Sequence, residues 1–161
     1  MVDDIRKNFI NSLIDAEKSW QSADNLANVV FPVVKDPKLL VKALEGLFKS
    51  VVLIVSTVIK FEYVYGRMEL SSDKGKNLEK FFTKCSFNYG FNDADTKVIR
   101  EIMFLGRKHR ESGFEFSKSG KLIILDDNSG VFELNLDKIK EFLALTKKLL
   151  ENTNRNFKES F

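Results

Sequence analysis

A chain of 161 residues with 43% hydrophobic and 30% charged side chains is long enough to bury one sizeable core, and this balance excludes a disordered segment. Its net charge of +3 is only mildly basic, below what a dedicated nucleic-acid-binding domain carries. Two prolines in the whole chain, Pro32 and Pro37, favour long helices over a β protein with many turns.

The N-terminal "MVDDIRKNF" is charged and acidic, so no secretory signal is expected. From Asp3 to about Ala27 the apolar positions Ile5, Phe9, Leu13, Ala16, Trp20, Ala23 and Ala27 recur in steps of three and four. On a helical wheel they fall in one arc of roughly 80°, which predicts an amphipathic helix. "VVFPVVKDP" reads as a loop.

Asp36-Pro37 places a capping acceptor before a proline suited to a first helical turn. The helix it opens is expected to reach Tyr65 or beyond. Lys42, Glu45, Lys49, Ser56 and Lys60 form its narrow polar stripe, within about 60° on the wheel. The rest of its circumference is apolar, as in a central bundle helix or one buried in an oligomer. Its longest uncharged apolar run, "SVVLIVSTVI", is about half of a bilayer crossing, so no membrane contact is expected.

"GRMELSSDKGK" is a break in which Ser71, Ser72 or Asp73 can cap the next helix. Leu78, Phe81, Phe82 and Cys85 then keep helical spacing. "FNYGFND" is a second break, with Asn92 or Asp93 as cap for a helix from about Ala94 to Arg110. After Gly113 the runs "FEFS", "KLIIL" and "VFELN" alternate with "KSG" and "DDNSG", which predicts a small antiparallel hairpin or three-stranded meander. A last helix starts near Asn135 or Leu136 and buries Ile139, Phe142, Leu143, Thr146, Leu149 and Leu150. The tail from 154 to 161 is expected to fray. The whole is a single mainly α domain: a bundle of about five helices with a β insertion at about 114–135.

Chemistry-bearing residues are few. Cys85 is the lone cysteine, so it forms no internal disulfide, suits a reducing cytoplasm and reads as a small core residue. One histidine and one cysteine leave little material for a transition-metal centre or a Cys-His pair. "LDDNSGVF" resembles a calcium loop only briefly. Asp126 and Asn128 are spaced as ligands, but Gly130 comes one position early and no Glu closes the loop. "SGKL" and "KGKN" lack the upstream glycine and following Ser/Thr of a phosphate loop, and no dinucleotide glycine pattern occurs, so no cofactor is expected. Asp93/Asp95 and Asp126/Asp127 stand where acidic side chains cap helices and turns. Phe87, Tyr89 and Phe91 alternate through a loop and leave base stacking open.

The sharpest stretch is "LGRKHRESGFEF", with the only histidine. His109 continues the apolar face of Val98, Ile102 and Leu105, so a partly buried, hydrogen-bonded ring near a helix C-terminus is expected, positive as the helix dipole favours. The neighbouring Arg107, Lys108, Arg110, Lys118 and Lys121 could hold phosphates, although cations are favoured in a last helical turn in any case, and Glu101, Glu111 and Glu115 dilute the charge.

The order of an amphipathic helix, a long apolar helix, shorter helices and a final helix, together with "REIMFLGRKHRES", resembles the HEPN superfamily. These are helical bundles of archaea and bacteria, some of them RNases or partners of nucleotidyltransferases. The likeness covers about two-thirds of the chain in layout. Catalytic members carry an Arg followed after four to six residues by a His. Counting back from His109, the positions that would hold that Arg are Ile102, Met103 and Phe104, so the resemblance does not extend to RNase activity. The β insertion is a second departure. Function is therefore expected to lie in association, as a homo-oligomer or with a protein partner. A nucleic-acid-binding module built on the basic group is the alternative, and an enzyme with residues distributed along the chain comes third.

Overall fold

The computed structural model describes residues 2–112, 114–128 and 130–161. Gly113, the expected breaker before the hairpin, and Ser129 in the second turn lie outside the described residues. The protein is mainly α, with a three-stranded antiparallel sheet inserted before the last helix.

Helix α1 spans Val2–Asn25 and does not end in a loop. It passes through a π-helical turn, Leu26–Val30, into a short helix α2, Phe31–Val34. The expected loop at "VVFPVVKDP" is thus corrected. Pro32 has no N–H and its ring would crowd the carbonyl one turn back. The π turn widens the helix just before it, with the Phe31 N–H donating to the Leu26 carbonyl, and helical geometry survives the proline. The rod stops at Lys35, whose φ of 56° is left-handed.

Asp36 then accepts from the Lys38 amide at 3.0 Å and starts α3, Lys38–Val64. This helix is the centre of the molecule and packs against α1, against the helix Asp93–Glu111 and against the last helix, Leu136–Ser160. Thirteen of its side chains are buried, while Lys42, Glu45, Lys49 and Lys60 of the expected stripe stay exposed. Small residues let α1 lie close. A Cβ at Gly46 would meet the Ser19 carbonyl at 3.1 Å, and Ser50 Oγ donates to the Ala16 carbonyl at 2.9 Å.

Asp73 caps α4, Lys74–Lys80, by accepting from the Gly75 amide. A second π turn, Phe81–Cys85, follows and buries Phe81 and Cys85. Helix α5, Asp93–Glu111, begins with a reciprocal capping box between Asn92 and Asp95. It approaches α3 at Gly106, where an added Cβ would stand 2.2 Å from a ring carbon of Phe48.

Strands β1 (Phe114–Lys118), β2 (Lys121–Leu125) and β3 (Val131–Leu134) pair in the order β1-β2-β3. Asp126 closes the second turn: its carboxylate accepts from the Asn128 amide and its own amide donates to Gly130, so the brief calcium-loop likeness is an Asx turn. Helix α6, Leu136–Ser160, is capped by Asn135.

The expected frayed tail is corrected as well: α6 stays helical through Ser160. Phe157 is buried, stacks on Phe61 of α3 at 4.0 Å and lies 6.0 Å from Phe9 of α1. The polar string "NTNRN" that suggests fraying also serves the interior, since buried Asn152 donates to the Tyr89 carbonyl at 2.9 Å.

Candidate functional site

The C-terminal turn of α5 meets the sheet and the polar stripe of α3 at His109. The strand register decides which residues arrive there. Leu122 and Ile124 of β2 lie opposite Leu134 and Phe132 of β3, and Glu115 of β1 pairs with Ile124. These residues form the inner face. Leu122, Ile124 and Leu134 are buried, and Phe132 makes an edge contact with Phe104 of α5 at 5.1 Å.

Glu115 therefore points inward, where its carboxylate meets His109 Nδ1 at 2.5 Å. On the other side of the ring Glu45 of α3 meets Nε2 at 2.7 Å. An imidazole with a carboxylate on each nitrogen must donate from both, and only the imidazolium can do so. Burial opposes that charge, for the side chain is 17% exposed, but the bonds to Glu115 and Glu45 outweigh it and hold the pKa above the ordinary histidine value.

Lys49, Arg110, Phe48 and Gly106 complete a cavity of about 240 Å³ beside the ring. With both ring nitrogens donating to carboxylates, neither is free to accept a substrate proton, and the two carboxylates sit at opposite edges of the ring, out of reach of one shared ion. The arrangement is a clamp joining α3, α5 and β1.

The five basic residues form two separate groups. At the end of α5, Arg107 is exposed and its Nε donates to the Met103 carbonyl at 3.3 Å. Lys108 pairs with Asp126 at 3.1 Å, and the guanidinium of Arg110 covers the Phe48 ring at 4.7 Å. Lys118 and Lys121 face each other at the far end of the first hairpin, about 14 Å along the strand from its start by ordinary strand rise. Lys121 pairs with Glu133 at 2.9 Å.

The outer face of the sheet escaped the sequence reading. Phe114, Leu125 and Val131 form one cross-strand row, and Phe116 and Ile123 lie in the next. Phe114 is 61% exposed, Phe116 40% and Val131 64%. The sequence did carry a signal. "LIIL" is apolar at four successive positions, so both faces of β2 are apolar, whereas a strand with one solvated face alternates.

A second polar cluster lies at the other end of α3. Arg67 grips Glu62 with two nitrogens, at 2.6 and 3.0 Å, and the Tyr89 hydroxyl donates to Glu62 at 2.8 Å. Cys85 borders the same cavity of about 230 Å³, and burial pushes its thiol up to about 11, so it stays protonated and unreactive at neutral pH. The Tyr89–Glu62 bond ties the segment that follows the π turn to α3.

No helix among the described residues is long and apolar enough to cross a membrane. Comparison with known proteins adds no assignment: no family model matches the chain, and no curated protein or solved structure matches it.

Proposed function

We propose that the protein acts by association and that it binds a second copy of itself through the outer face of its sheet. The observation that carries this is the register of Phe114, Phe116, Ile123, Leu125 and Val131 on one solvent-facing surface. Soluble proteins seldom leave contiguous apolar surface of this kind uncovered, and where they do it commonly marks a contact site. The polar edge of the face carries both signs, Lys118 and Lys121 beside Glu133, which suits a surface that pairs with itself about a two-fold axis.

The support is no longer the apolar girth of α3, because α1, α5 and α6 of the same chain cover that helix. Three strands span about 14 Å and five residues about 17 Å, a patch of a few hundred Å² at most. Interfaces of that size lie at the weak end of specific contacts, so the pairing depends on concentration. Nucleic-acid binding has less support, since Lys108 and Lys121 are paired with carboxylates and Arg110 lies on an aromatic ring.

Sedimentation equilibrium over a wide concentration range tests the proposal. The wild type is expected to move from monomer to dimer mass as concentration rises. The double variant Phe114→Ser, Phe116→Ser is expected to stay monomeric with its helical signal intact. A wild type that remains monomeric throughout, or a double variant that pairs equally well, would overturn it.

A further inference from the structure

We infer that a groove between α3, α4 and α5 binds a single-chain aliphatic carboxylate. The cavity measures about 450 Å³, within the range of small-molecule sites. Its walls are Val52, Val55 and Ile59 of α3, Leu78 of α4, Met103 of α5, and Leu70 from the segment joining α3 to α4. No carboxylate lines it.

The polar atoms at the groove narrow the ligand. Ser56 Oγ donates to the Leu53 carbonyl at 3.2 Å. The Asn77 side chain is committed at both ends to the backbone of Ser71, at 2.8 Å each. What remains is two ammonium groups, Lys60 and Lys74. Neither has a carboxylate partner among the described residues. By contrast Lys108, Lys121, Lys138 and Lys148 each have one.

A long apolar wall with only cations to offer at its edge suits an alkyl chain ending in an anion. A neutral alkyl ligand would leave the ammonium groups unused, and a polar anion would leave the apolar wall wet. Val52 and Leu70 are partly exposed, so the groove opens to solvent and the ligand can enter without unfolding a helix. The groove shares no residue with the outer sheet face, so this inference is independent of the association proposed above.

Isothermal titration with dodecanoate, below the concentration at which it forms micelles, provides the test, with dodecanol as the neutral control. Wild type is expected to bind dodecanoate saturably at one site per chain. Dodecanol is expected to bind about tenfold more weakly, and Lys60→Glu with Lys74→Glu is expected to lower dodecanoate affinity by about tenfold or more, since each exposed charge contact contributes modestly. Val52→Trp, placed at the exposed lip, is expected to block both ligands. No saturable binding by wild type, equal binding of the alcohol, or unchanged binding by the Trp variant would each overturn the inference. The alcohol control uses wild type alone, so it decides even if a variant folds poorly.

Discussion

His109 draws its chemistry from two residues far apart in the chain. Glu115 is six positions away and Glu45 sixty-four, and each takes one ring nitrogen. Folding therefore raises the pKa of this ring. The sign follows from linkage. A group whose pKa rises on folding stabilises the protein fully below its unfolded value, about 6.5 for histidine, and this stabilisation fades as pH climbs through the folded value. Lys49 and Arg110 also line the cavity beside the ring; burial works against the imidazolium, and the two carboxylates outweigh it. His109→Asn should then lose more stability relative to wild type at about pH 6 than at about pH 9 in urea denaturation. A gap that widened with rising pH would mean that the ring is neutral in the folded protein.

At the scale of elements, helix starts were the most legible feature. Asp73, Asn92 and Asn135 cap the helices that follow, each within the two- or three-residue choice the sequence offered, because a cap acts close to its own position. Helix ends were less legible. The tail of α6 is polar enough to suggest fraying, yet every few residues it sends a side chain inward, ending in the cluster of Phe9, Phe61 and Phe157. Phe157→Ala should therefore cost about 3–5 kcal/mol, the usual loss for a buried aromatic. Thermal and urea melts would show it. A loss within a few tenths of a kcal/mol, as for a surface change, would mean that the last turns of α6 do not belong to the core.

For the whole molecule, the arrangement of charge matters more than its total. Lys108, Lys121, Lys138 and Lys148 are paired within the chain, and Arg67 and Arg100 likewise hold Glu62 and Glu79. At the basic group itself Lys108 and Lys121 are paired and Arg110 lies on the Phe48 ring, so phosphates bound there would release few counterions. Labelled single-stranded and duplex RNA should thus bind weakly at low salt and not at all at moderate salt. Changing Arg107, Lys108 and Lys121 to Gln should make little further difference. Tight binding that survives moderate salt and disappears in that variant would favour the nucleic-acid function over association through the sheet.

Local signals by themselves gave the helical class, the long central helix, most of its polar stripe and three β-prone runs, with hairpin or meander left open, because periodicity, caps and turns act over a few neighbouring residues. They misjudged the segment around Pro32, where a π turn absorbs the proline that would otherwise end the rod. Only the tertiary structure decided which apolar surfaces are covered. Both α3 and the sheet look too apolar for solvent in sequence, but α3 finds its cover in the same chain while the row of Phe114, Leu125 and Val131 does not. Only the tertiary structure, too, brought Glu45 to His109 and kept Lys118 and Lys121 at the far end of their hairpin from α5. The physical reason is the same in each case: burial and charge pairing depend on what packs opposite a residue, and neighbours in sequence do not decide what that is.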